Sequence, residues 1–141
     1  MFEVKRQLLN EDLKKQIDEG FGQHARAVIG HDEIFDPVAF VAHDKGCFAG
    51  AIVVGLFWGA LHVKKIYVGD EYRGKGIGSQ LMEYALKYGR DNKCSFAFVE
   101  TMSFQALDFY RKMGFELEFT RLGYKHDTSF HYLRREIKEE G

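Results

Sequence analysis

The apolar positions of the chain change period several times, and each change marks an element. Met1-Phe2-Glu3-Val4-Lys5-Arg6 alternates as a strand does. Asn10 can cap a helix whose Leu13, Ile17 and Phe21 recur at helical spacing, continuing to Ala25 and Val28. Gly20 and Gly22 are expected to bend it into two consecutive pieces. Residues 31–36 read as a loop. Pro37 opens a strand over 38–42, Asp44-Lys45-Gly46 turns the chain, and 47–57 returns. Trp58-Gly59 turns it again into a strand over 60–68. Ile77, Leu81, Tyr84, Ala85 and Tyr88 then share a face of a helix that runs to about residue 90. A strand over 94–100, a helix over 103–113 stopped by Gly114, and a hairpin of 115–122 with 129–137 complete the chain. The expected order is β-α-α-β-β-β-α-β-α-β-β, an α/β arrangement, with residues 1–141 forming a single domain.

The junction at 65–82 carries the chemistry. Strand residues Ile66, Tyr67 and Val68 lead into Gly74, Gly76 and Gly78, interleaved with Arg73 and Lys75, and a helix begins there. Glycine permits backbone angles that other residues avoid and lets a ligand approach the main chain. The first amides of a helix have no partner inside it, and the helix dipole adds positive charge. Such a turn suits a phosphate or diphosphate. The dinucleotide pattern G-x-G-x-x-G fails, because its third place falls on Ser79 or Leu81. Gly69 to Lys75 fits G-x-x-x-x-G-K, but Gly76 stands where a Ser or Thr must reach magnesium. What fits is Arg-x-x-Gly-x-Gly, as Arg73, Gly76 and Gly78. This resembles the pyrophosphate loop of the GNAT superfamily of acetyl-CoA-dependent N-acetyltransferases.

A second segment strengthens the resemblance. Ala106, Phe109, Tyr110, Lys112, Gly114 and Phe115 match the superfamily's Asn-x-x-Ala-x-x-Phe/Leu-Tyr-x-Lys-x-Gly-Phe, with Ser103 in place of Asn. Either residue can cap a helix. The resemblance implies a mixed sheet with helices on both faces, splayed where the strands ending at Val68 and near Glu100 part. It implies acetyl-CoA as acetyl donor, its pantetheine arm pairing with main chain around Ile66, Tyr67 and Val68 as an added strand. Amides of Arg73, Gly74, Lys75, Gly76, Ile77, Gly78 and Ser79 would hold the diphosphate, with Ser103 and Tyr110 completing the cofactor's surroundings. Lys75 also reads as a solvated cation. Lys112 either reaches the phosphates or stands exposed.

Composition narrows the class. Apolar residues make up 45% and aromatic residues 15% of the 141, which favours a globule over a disordered chain. A net charge of −1 implies neither nucleic acid nor a membrane surface as partner. Cys47 and Cys94 are too far apart in sequence to suggest a zinc spacing or a disulfide framework, so no metal is expected, and both are expected to be buried, reduced thiols of a cytoplasmic protein. The N-terminus lacks a signal peptide's apolar core, and the apolar run 49–61 is too short to cross a bilayer. A homodimer is compatible with this composition.

Acyl transfer needs a neutral amine, a stabilised oxyanion and a proton for the departing thiolate. By resemblance Tyr110 is the acid, although it also fits a core position beside Phe109 and Phe115. His62 and Glu100 compete as base; a lone strand histidine is more often a satisfied structural residue, and a water relay is a third route. Phe21, His24, Trp58 and His131 are the expected acceptor walls, with Tyr124 and His126 of the final hairpin, and each also fits packing or surface. The favoured function is N-acetylation of a primary amine of a small molecule, a metabolite or antibiotic, by direct attack in a ternary complex. The alternatives are acetylation of a protein N-terminus or lysine, which needs an open cleft, and a non-catalytic acyl-CoA-binding module.

Overall fold

The computed structural model describes residues 1–33, 35–103 and 106–138. Its contacts divide the chain into two units, residues 1–34 and 35–141. In the first unit a helix, α1 (Glu11–Ile29), follows an exposed N-terminal segment without regular secondary structure. The Asn10 side chain accepts from the Leu13 amide at 2.8 Å, and Gly30 closes the helix in the left-handed region at φ 82°. Arg26 of the last turn pairs with Asp32.

Two expectations are corrected here. Residues 1–6 form no strand: a period-two pattern becomes a strand only with a ladder partner, and this unit holds none among its described residues. The two helical pieces are one helix, because Gly20 and Gly22 lower helix propensity but keep their amides, so nothing breaks the hydrogen-bond ladder.

The second unit is a six-stranded mixed sheet, as the α/β reading requires. Its strands are β1 (Val38–Asp44), β2 (Cys47–Phe57), β3 (Ala60–Val68), β4 (Phe96–Met102), β5 (Glu116–Arg121) and β6 (Phe130–Glu136), in the order β1-β2-β3-β4-β6-β5. Only β3 and β4 run parallel, joined by α2 (Ile77–Asp91); a short helix α3 (Leu107–Lys112) precedes β5. Alternate residues of the strands, Ile52 and Val54, Leu61 and Val63, Ala97 and Val99, turn inward under α2. The helix meets them with Leu81, Met82, Ala85 and Leu86. Tyr84, expected on the buried face, is exposed, because the buried stripe of α2 is centred on Met82, Ala85 and Gly89. Gly89 has to be small: a Cβ there would stand 3.2 Å from Cδ2 of Leu61. No helix among the described residues is long and apolar enough to cross a membrane.

Candidate active site

The sheet opens between its two parallel strands. Pairing of β3 with β4 runs from Ala60↔Phe96 to Val63↔Val99 and stops there. On its other side, β3 pairs Val53 with Lys65 but Val54 with Val63, so Lys64 is a surplus residue in the ladder. A bulge bends its strand and adds twist. Because it falls one residue beyond the last pair, it carries Lys65 to Val68 away from β4. The sequence held a signal for this: Leu61 and Val63 turn inward, then Ile66 and Val68 do, a step of three where alternation demands two.

Beyond the opening lies the glycine turn. Asp70–Tyr72 form a single 3-10 turn, and α2 starts at Ile77 with its first internal bond from the Gln80 amide to the Gly76 carbonyl. The amides of residues 74–79 have no backbone acceptor among the described residues. Gly74 and Gly76 sit at φ 77° and 82°, where side chains are strained, and a Cβ on either would meet nothing within 4 Å. Open space lies over their main chain, which is what a bound diphosphate needs. A cavity of about 220 Å³ covers the turn, and one of about 540 Å³ runs along Ile66, Tyr67 and Val68 towards Ala106. Phe109 lines both, a role the sequence reading missed because the position also fits a core residue. The Arg73 Nε donates to the Val68 carbonyl at 3.2 Å while its Nη1 meets Asp70 Oδ1 at 3.0 Å, which holds the guanidinium at the strand end. Lys75 lies 5.8 Å from the Tyr72 ring centroid and lines neither cavity.

On β3, just before the bulge, His62 stacks on Phe98 with ring centroids 4.5 Å apart and planes 4° from parallel. Its Nε2 lies 2.8 Å from Oε2 of Glu100, the first β4 residue past the last ladder pair. The two side chains are 26% and 29% exposed, so the competing base candidates form one half-buried pair. Tyr110 of α3 is 5% exposed, packed between Phe109 and Phe115 at centroid distances of 5.5 and 5.8 Å. Burial pushes its hydroxyl up to about 12, so it keeps its proton throughout the physiological range.

Each of the remaining expected residues has its own surroundings. Ser103 does not cap α3, whose N-cap is Ala106; its Oγ instead accepts from the Ser129 amide at 3.0 Å and sits 3.1 Å from His131 Nε2. Residues 104 and 105, part of the expected helix, lie outside the described ones. His131 is 8% exposed, and its Nδ1 is 2.9 Å from the Thr120 hydroxyl, so hydroxyls engage both ring nitrogens. Trp58 is 46% exposed, at φ 47° in the β2–β3 turn, beside a cavity of about 380 Å³ that Phe57, Phe96 and Phe98 also line. Tyr124 and His126 line another, of about 680 Å³, with Met102 and Ser103. In the first unit, Phe21 and His24 lie exposed on α1. Of the two cysteines expected to be buried, Cys94 is, and desolvation raises its thiol; Cys47 is exposed, because it opens β2 at the turn from β1. Among the described residues no group of His, Cys, Asp and Glu is placed to hold a metal ion.

Comparison with known proteins agrees with this geometry. The model of the acetyltransferase (GNAT) family matches residues 6–115. Blasticidin-S acetyltransferase of Streptomyces morookaense is 32% identical over 99 residues, 70% of this chain and 73% of that protein. Among solved structures, an acetyltransferase from Bacillus cereus ATCC 14579 superposes with a TM-score of 0.77 at 20% identity, covering 95% of this chain and 98% of its own. Nourseothricin acetyltransferase gives 0.66 at 29% identity, over 73% of this chain and 66% of its own.

Proposed function

The chain belongs to the acetyltransferase (GNAT) family, and from that premise we propose that it moves an acetyl group from acetyl-CoA to a primary amine of a small molecule, by direct attack in a ternary complex. The enzyme class and the donor come with the family. The small-molecule acceptor is supported by relatives named for blasticidin S and nourseothricin. The observation that carries the reading is the opened β3–β4 seam, which ends in a turn whose amides at 74–79 lack backbone acceptors among the described residues.

In this reading acetyl-CoA supplies an acetyl group activated as a thioester. The amides of 74–79, with Arg73, hold its diphosphate, and the main chain of Ile66 to Val68 takes its extended arm as an added strand. Tyr110 holds the proton destined for the leaving thiolate, and the base is drawn from the His62–Glu100 pair. Residues 1–141 act as one N-acetyltransferase domain, supported by a family match that reaches across both units. The buried, protonated Cys94 fits a reducing compartment such as the cytoplasm. The test is thiol release from acetyl-CoA in the presence of blasticidin S, nourseothricin, an alanine-starting peptide or a lysine peptide. Turnover with either antibiotic supports the reading. Turnover with peptides alone replaces it with protein acetylation, and cofactor binding without turnover replaces it with a binding module.

A further inference from the structure

We propose that Nδ1 of His62 takes the proton from the acceptor amine, and that Glu100 is the positioning residue that holds the other ring proton on Nε2. The inference rests on the acetyl-transfer reading and asks which atom of the pair does the work. A carboxylate oxygen can only accept, so the 2.8 Å contact between Glu100 Oε2 and His62 Nε2 places a hydrogen on Nε2. A neutral imidazole carries one ring hydrogen, and Nδ1 is left with its lone pair. Among the described residues Nδ1 has no hydrogen-bond partner.

The ring is fixed in a second direction by Phe98, against which it lies 4° from parallel. One contact sets its rotation and the other its plane. Such fixing places a base within reach of a bound amine before the amine arrives. Both side chains are between a quarter and a third exposed, open enough for a small amine yet sheltered from bulk water. His62 pairs with Phe98 in the ladder, and Glu100, two residues further along β4 and just past the last pair Val63↔Val99, stands on the same face of the sheet. An imidazole is the closer match to a proton acceptor near neutral pH than a carboxylate, whose oxygen here is already engaged.

The step balances without another reagent. The amine nitrogen forms a bond to the acetyl carbon as the carbon–sulfur bond breaks; the amine proton goes to Nδ1, and the thiolate takes one from Tyr110. The imidazolium, stabilised by the Glu100 carboxylate, then gives its proton to water, and Tyr110 regains one.

Two measurements on the full chain test this. Long-range proton–nitrogen correlation spectra of the free protein should show His62 protonated at Nε2 and bare at Nδ1, and Glu100→Ala should mix the two tautomers. With acetyl-CoA and blasticidin S, His62→Ala should lose about 10²-fold in kcat, with the KM for acetyl-CoA within about twofold and partial rescue by added imidazole. Glu100→Gln should lose about tenfold in kcat with the same KM. Circular dichroism and cofactor titration show that each variant is folded. A wild-type ring protonated at Nδ1, or transfer that survives His62→Ala, overturns this inference alone. Absence of transfer from the wild-type protein to every amine probe removes the acetyl-transfer reading, and this inference with it.

Discussion

A Cβ added to Gly78 would stand 3.2 Å from Cε1 of Phe109, so a side chain at position 78 would press that ring back from the first turn of α2 by a few tenths of an ångström. Phe109 lines the cavity over the turn and the one beside Ile66, so displacing it changes both. Gly78→Ala should weaken acetyl-CoA binding by about tenfold, roughly 1.4 kcal/mol, measured by calorimetry. Unchanged affinity would show that Phe109 gives way at no cost to the cradle.

Gly76 sets a different requirement. Its φ of 82° is the difficulty, since a Cβ would meet nothing within 4 Å. Gly76→Val should destabilise the fold by about 1–2 kcal/mol, a fall in Tm of about 3–6 °C. Gly76→Asn should lose less, because Asn tolerates the left-handed region. Equal melting temperatures for the two variants would locate the effect somewhere other than the backbone angle.

Tyr110 makes stability depend on alkali. Its hydroxyl is raised from 10 to about 12 by burial, so between those values the native state binds more protons than the unfolded chain. The contribution of Tyr110 to stability is therefore constant below about pH 10 and falls through the interval up to about 12, by about 3 kcal/mol in all. Denaturant midpoints measured across that range should fall in the wild-type protein and flatten in Tyr110→Phe. The same variant should lose about 10²-fold in turnover with little change in cofactor affinity; equal turnover would remove Tyr110's role as acid.

Ser103 joins the end of β4 to the final hairpin. Its main-chain amide bonds the Ser129 carbonyl at 3.0 Å, and its hydroxyl reaches both the Ser129 amide and His131. Ser103→Ala removes the acceptor for a backbone N–H and one hydroxyl from a buried imidazole. A loss of about 1–2 kcal/mol is expected, read as a lower urea midpoint at unchanged m-value. A wild-type midpoint would mean that Ser129 alone satisfies His131.

The strands of the second unit were legible because each presents an alternating or continuous apolar run between glycine-containing turns; β2 and β3 match their expected limits residue for residue. Asn10 was legible as a cap for the same local reason. The N-terminal alternation misled, since pattern records what a strand could bury and says nothing of whether a partner is there. For the candidate site, the glycine turn is a local property and could be read directly. The contact between His62 and Glu100 spans 38 residues and depends on the register in which β3 lies against β4. Read along the chain, the two were rivals; the folded sheet makes them one unit. His131 carried no local sign that hydroxyls of Ser103 and Thr120, from other segments, would join that of nearby Ser129 around it.

Lys64 has a bearing on how such a protein could arise or be undone. Deleting that one residue would bring Val63 and Lys65 into step, keep Ile66 and Val68 facing inward, and let β3 zip against β4 as far as Glu100. The shortened chain would be a better sheet and a poorer enzyme. A single codon separates a closed barrier from a doorway through it.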